Sequence, residues 1–508
     1  MSATAQAPAA RAAAAPIRER RLALYVLCVG MLMIVLDVTI VNVALPAIQE
    51  DLHFSTSSLA WVVNAYLIAF GGLLLLAGRV GDLVGRRRVF LAGVALFTAA
   101  SVLCGAAQSS AWLVTARFVQ GVGGAMTSAV ILGMIVTMFP EPREQAKAIG
   151  VFAFVASAGG SVGLVAGGVL TQSINWHWIF FVNLPIGILT ILAARRLVPD
   201  LPGIGLREGA DVPGALLITS ALMLGVYTIV DPAAKDGWGA SSTLLLGAAS
   251  VGLLVAFFVR EARARKPLMP LRIFRSRPIV AANVIQMLSV AGMFGMFFLG
   301  ALYLRRVLGY DALHIGLAFL PATIGMGTLS IRYSDRILMA IGARRTLLVG
   351  LTLILAGLAT FALAPVDASY ITQVAPSLLL LGVGAGTAFP ALMNVAMTGT
   401  TQQDAGLASG LVNTTAQVGG ALGLAVLATL STSHSNALKA AGTSTASALT
   451  SGYHLAFWVA AALVGCALIV VLAAIEGGVP APAHGPAGPE HAHSEGAVER
   501  GRPIGETG

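Results

Sequence analysis

Charge is what this chain has least of. Asp, Glu, Lys and Arg make up 10% of its 508 residues, where soluble proteins carry about 25%. An ordinary water-facing surface cannot be built from so few charges. Lysine is scarcer still: only Lys147, Lys235, Lys266 and Lys439 occur, and none follows a glycine. A phosphate-cradling Walker loop needs Gly before Lys, and the connections are too short for a nucleotide-binding domain, so ATP is set aside as the energy source. The three cysteines, Cys28, Cys104 and Cys466, lie in apolar runs and imply no disulfide framework. Those runs also lack the paired carboxylates and His clusters that membrane-embedded hydrolysis would need, which argues against an enzyme.

What the chain does have is apolar length. Hydrophobic residues make up 57% of it, and each run of about 20 such residues is a candidate membrane span. Fourteen are expected, over 23–46, 59–78, 89–108, 113–138, 147–171, 177–197, 212–231, 243–261, 279–304, 314–331, 346–365, 373–397, 405–432 and 453–475. The first follows Arg18, Arg20 and Arg21 as a signal peptide would, but it is too long for a signal core and Asp37 interrupts it, so it reads as a retained span. The formal charge of +9 invites a nucleic-acid reading, which position excludes. Of 31 Lys and Arg, only Lys235, Arg305, Arg306 and Lys439 fall on one side and Arg117 within a span; the other 26 fall on the opposite side. This positive-inside bias places both termini in the cytoplasm of a multi-pass protein of the cell membrane, with the bilayer rather than nucleic acid as its partner.

An internal repeat adds organisation. Gln120-Gly121-Val122-Gly123-Gly124 resembles Leu381-Gly382-Val383-Gly384-Ala385, and Gly150, Ala156, Gly159, Gly160 and Gly163 match Gly410, Ala416, Gly419, Gly420 and Gly423. Gly85-Arg86-Arg87-Arg88 and Gly93 echo Gly342-Ala343-Arg344-Arg345 and Gly350. These offsets of 257 to 261 exceed the roughly 190 residues that six adjoining spans and their connections occupy. The surplus matches spans seven and eight. The expected organisation is a cytoplasmic tail (1–21), a six-helix bundle (22–200), an inserted two-helix linker (201–270), a second six-helix bundle in parallel repeat (271–476) and a polar tail (477–508). His484, His491 and His493 read as part of that tail rather than as a metal site.

Asp37 is the one carboxylate deep in a span; Asp211 and Asp231 sit at span ends. A central Asp costs about 2.5–3.5 kcal/mol on insertion scales, so it must face protein or a wet cavity. Burial favours the protonated form of a carboxyl. Two roles stay open, a proton-coupling group or a carboxylate permanently paired for structure. Arg117 is the one base within a span and shares a face with Gln120, Gly121, Gly124 and Ser128 at helical spacing. It either relays charge to Asp37 or holds a carbonyl network. Gly159, Gly163 and Gly167 form a small-xxx-small stripe suited to close helix packing. The short basic loop with Gly78, Gly81, Asp82, Gly85, Arg86 and Arg87 is a latch or merely an orientation anchor. Asn42, Asn64, Tyr66, Gln120, Asn283, Gln286, Asn394, Asn413 and Gln417 are polar positions in spans, candidates for a substrate cavity or for interhelical hydrogen bonds.

Taken in order, these elements resemble the major facilitator superfamily, and within it the fourteen-helix drug:proton antiporters. Leu36-Asp37-Val38-Thr39-Ile40-Val41-Asn42-Val43-Ala44-Leu45-Pro46 is similar to that family's first-span signature, and Gly78–Arg87 to its loop between spans two and three. Arg117-Phe118-Val119-Gln120-Gly121 resembles the fourth-span motif. Gly163 to Gly168, with Trp178-Ile179-Phe180-Phe181-Val182-Asn183-Leu184-Pro185-Ile186-Gly187, resembles the antiporter motif and its sequel. Two positions depart from the pattern: Leu83 stands where the family often has Arg, and Leu164 where it usually has Pro. The resemblance, over roughly 20–475, implies an all-α membrane protein whose two bundles rock about a midplane site, as this superfamily's parallel halves do. It implies export of small amphipathic molecules, driven by protons without a cofactor or metal, by a monomer. A transporter of one specific metabolite, or an importer, on the same fold is the alternative.

Overall fold

A computed structural model describes residues 16–205, 209–265, 267–398 and 402–475, and every regular element among them is helical. In lipid a helix satisfies its own backbone, so apolar runs of this length have little other choice. The first half comprises α1 (Ile17–Asp51), α2 (Thr56–Val84), α3 (Arg86–Gly105), α4 (Ser110–Met138), α5 (Pro142–Ser173) and α6 (Trp178–Leu197). Then come α7 (Val212–Val230) and α8 (Ser241–Arg263). The second half comprises α9 (Arg277–Arg306), α10 (Ala312–Thr328), α11 (Ser334–Phe361), α12 (Ala375–Met397), α13 (Gln402–Ala440) and α14 (Thr445–Ala474). Among the described residues, 12 helices are long and apolar enough to cross a membrane. The other two expected spans correspond to α5, which is 32 residues long, and to α10.

Two spans differ from expectation for identifiable reasons. The expected run 314–331 is broken into Ala312–Ala318 and Leu320–Thr328, followed by a π turn at Leu329–Tyr333. Pro321 explains the break, since it lacks an N–H and its ring clashes with the preceding turn. The expected 405–432 extends to Ala440, because no breaker occurs before Gly442, whose φ is +87°. Hydropathy stops at Ser431, Thr432 and Ser433, but the helix has no reason to.

The internal repeat is a repeat of packing. Gly93 of α3 meets Thr127 of α4, and Gly350 of α11 meets Ala388 of α12. Gly121 of α4 lies on the Tyr66 carbonyl of α2, and Gly382 of α12 on that of Ala322 in α10. Gly159 of α5 lies on Leu32 and Val35 of α1, while Gly419 of α13 lies on Met287 of α9. Gly85 and Gly342, matched in sequence, both have the positive φ that a side chain would strain, +113° and +80°. The inserted α7 packs against α2 and α13, one from each half, and α8 packs on α7 with little else around it.

The halves also meet at the end away from the basic connections. A side chain at Gly168 of α5 would strike Ala312 and Leu313 at the start of α10, each at 2.8 Å. Arg305 Nη2 pairs with Glu50 Oε1 at 3.3 Å, and Arg306 donates to Gln49 beside it. Asp311 caps α10 through the His314 N–H at 2.8 Å, and that bond and the His314 ring hold its carboxyl below the usual range.

Candidate functional site: a buried carboxylate and guanidinium

Asp37 and Arg117 are drawn together by the packing of α1 and α4. Neither can be reached by solvent: side-chain exposure is 0% for Asp37 and 1% for Arg117. Arg117 Nη1 donates to Asp37 Oδ2 at 2.5 Å and to Gln120 Oε1 at 2.7 Å, and its Nε donates to the Val62 carbonyl at 2.9 Å. Gln120 Nε2 returns a bond to Asp37 Oδ1 at 2.7 Å, so one helical turn of α4 grips both carboxylate oxygens. Asn183, at the start of α6's long segment, reaches the same Oδ1 at 3.4 Å and donates to Ser101 Oγ at 2.9 Å. Ser101 in turn donates to the Phe180 carbonyl at 2.9 Å. The guanidinium carbon lies 4.5 Å from the centre of the Tyr66 ring, a cation–π contact in a dry setting.

Arg117 pairs with Asp37 and also holds a carbonyl of α2, that of Val62. Asp37 is paired, with donors on both carboxylate oxygens. Gln120 and Tyr66, considered for a cavity, belong to this cluster instead. Sequence reasoning missed Ser101, the Val62 carbonyl and Cys104, whose Sγ donates to Gln120 Oε1 at 3.5 Å rather than acting only as a small hydrophobe. Asn183 lay inside a quoted motif, but nothing in its spacing singled it out.

The basic loop closes on its own half and on the linker. Arg86 Nη2 pairs with Asp82 Oδ1 at 3.0 Å, while its Nη1 donates to the Gly133 carbonyl at 2.7 Å and to Thr137 Oγ1 at 3.2 Å. The Ile204 and Gly205 N–H groups donate to the carbonyls of Asp82 and Leu83 at 2.9 and 3.0 Å. Arg87 donates to the Arg195 carbonyl. Gly78 and Gly81 face α4 at Ala129 and Val130. Gly163 and Gly167 seat α5 on α1: a methyl at Gly163 would meet the Leu36 carbonyl at 3.1 Å, and one at Gly167 the Ile40 carbonyl at 2.8 Å. Gly168 does something different, facing the other half.

The remaining polar positions scatter. Asn42 donates to its own helix at Val38, Asn413 is exposed and does the same at Ser409, and Asn394 is exposed. Asn64 is fully buried with both side-chain polar atoms unpartnered, and Gln417 rests on Gly71. Gln286 is partly buried. Asn283, bonded to Thr415, lines an apolar cavity of about 340 Å³ where α2, α7, α8, α9 and α13 meet. Phe257, Phe258, Met269 and Met287 form much of its wall. Among the described residues, no group of three or more His, Cys, Asp or Glu is placed to hold a metal. The tail histidines lie outside the described residues.

The Major Facilitator Superfamily model matches residues 27–424. The chain belongs to that superfamily. It is a multi-pass membrane transporter and not an enzyme. Over 419 residues this facilitator is 38% identical to the puromycin resistance protein pur8 of Streptomyces alboniger, covering 82% of this chain and 83% of that one. It is 37% identical to the cephamycin export protein CmcT of Amycolatopsis lactamdurans, over 80% of this chain and 84% of that one. Among solved structures, a bacterial homologue of the human lysosomal transporter Spinster, inward-facing and unoccupied, superposes with a TM-score of 0.63. That match covers 90% of this chain and 97% of the other at 17% identity, a likeness of fold.

Proposed function

We propose that this facilitator is a drug:proton antiporter, exporting small amphipathic molecules from the cytoplasm across the cell membrane. The observation that carries the reading is the Asp37–Arg117 pair, a titratable group buried in a transporter and tied to its neighbours by charge. The names of the relatives, for puromycin resistance and cephamycin export, support the direction and the substrate class. Both termini are cytoplasmic in this reading, all fourteen helical segments cross, the working unit is a monomer and no cofactor is required.

A proton on Asp37 would neutralise one partner and leave Arg117 on Val62, Gln120 and the Tyr66 ring. The tie between α1 and α4 then weakens. Leu36, next to Asp37, lies against Gly163 of α5, and α5 meets α10 through Gly168. Loss of the pair is thereby transmitted along α1 and α5 to the outer seam between the halves. One charge crossing 100 mV supplies about 2.3 kcal/mol. Asp82, Arg86 and the linker contacts hold the cytoplasmic end of the first half as one body during that change. The test is expression in an efflux-deficient host with a toxicity screen across many compounds. Resistance with lowered cellular drug content is expected; raised content would mean uptake and overturn the reading.

A further inference from the structure

The inserted pair carries a second buried carboxylate that the central cluster does not touch. Glu261, near the end of α8, is 3% exposed. Its Oε2 accepts the Met269 N–H at 2.9 Å, while its Oε1 is buried with no partner. Asp211, 4% exposed, caps α7 through the Gly214 N–H at 3.1 Å. Both carboxylates converge on Gly214, where a methyl group would sit 2.7 Å from Asp211 Oδ2 and 2.9 Å from Glu261 Oε1.

The two acids are not equivalent. Arg260 pairs with Asp211 Oδ1 at 3.0 Å, and Arg79 is held on the Gly209 carbonyl at 3.2 Å. Asp211 therefore has a counter-ion and a helix N-terminus. Glu261 has backbone donors, the N–H groups of Met269 and Leu268, and the Arg260 charge nearby, set against its burial and the neighbouring negative charge of Asp211. Burial and a like charge both favour a neutral acid. An orphaned, buried carboxylate oxygen costs more than a lost hydrogen bond, and a proton there removes that cost.

We propose that Glu261 and Asp211 form a second proton-binding site, with the proton seated on Glu261 Oε1 and facing Asp211 Oδ2. The proton comes from the cytoplasmic side, where α7 begins and α8 ends, and no other bond is made or broken. Its consequence is local. Met269, tied to Glu261, lines the apolar cavity between the inserted pair and both halves. Charging Glu261 strengthens its hold on the Met269 N–H and repels Asp211, so pH sets how Met269 packs in the wall of that cavity.

The site is tested on the full-length protein in lipid nanodiscs by infrared difference spectra across a pH titration. A carboxylic-acid C=O band that disappears as pH rises is expected in the wild type and should be lost in Glu261→Gln. Asp211→Asn should keep the band but move its midpoint to lower pH, since the like charge is gone and Arg260 is freed for Glu261. Asp37→Asn should leave this band in place, so failure of the central coupling reading is separable from failure here. A band undiminished in Glu261→Gln overturns the proposal. Should that variant not fold, an unmoved midpoint in Asp211→Asn overturns it equally.

Discussion

Asp37 and Arg117 are 80 residues apart in the chain and meet at 2.5 Å with no access to solvent. A pair buried this deeply is not chosen for stability, because desolvation offsets most of the attraction. Its removal from one side is another matter.

Arg117→Met should destabilise the protein by about 3–5 kcal/mol, the usual cost of leaving a buried charge unpaired. Adding Asp37→Asn to it should recover most of that loss, since no charge then remains in the cluster. Chemical unfolding of the single and double variants in detergent checks this. A loss in the double variant equal to the sum of the Arg117→Met and Asp37→Asn losses would mean the residues do not interact.

Asp82→Asn should slow transport while leaving membrane abundance and substrate binding close to wild type. The Asp82–Arg86 pair is partly exposed, with side-chain exposures of 42% and 35%, so its static worth is small. Arg86 keeps Gly133 and Thr137 in the variant. Transport at the normal rate would reduce the loop to an orientation anchor.

Spans, the repeat and the central pair were legible because each rests on spacing or on scarcity. A lone Asp and a lone Arg in apolar helices have few places to go, and Gln120 follows Arg117 by one turn. Ser101 and the Val62 carbonyl were not legible, since a single Ser or a backbone atom carries no pattern. Of the polar residues expected in a cavity, Asn283 lines one, while Asn42 and Asn413 bond within their own helices. The apolar cavity has walls of Phe, Leu and Met, which occur throughout this chain, so nothing marked them. Glu261 ends the expected span 243–261, and nothing in its spacing marks its carboxylate as buried.

Locking the outer seam should stop turnover. With Glu50→Cys and Arg305→Cys in a cysteine-free background, a short bis-maleimide is expected to abolish transport, whereas a monofunctional maleimide should not. Both residues are partly exposed and paired at 3.3 Å, so the reagent can span them. Full activity after verified cross-linking would mean that the seam does not open.

Orientation follows from the asymmetry of the basic residues. Cysteines at Ser241 and Thr443 should label from outside intact cells, and one at Asp200 only after permeabilisation. The reverse pattern would invert the assigned topology.

The account stands most directly on Asp37→Asn in inside-out membrane vesicles. Asn preserves shape and removes the titration, although Arg117 loses its counter-ion, so some loss of stability is expected and folded protein must be verified first. Given folded protein, a pH gradient should drive substrate accumulation in the wild type and none in the variant, and substrate-induced proton release from purified protein should vanish with it. Asp37→Glu should keep partial activity with a shifted pH optimum. If Asp37→Asn still accumulates substrate against its gradient under a pH difference, the coupling proton is carried elsewhere and the central claim is wrong.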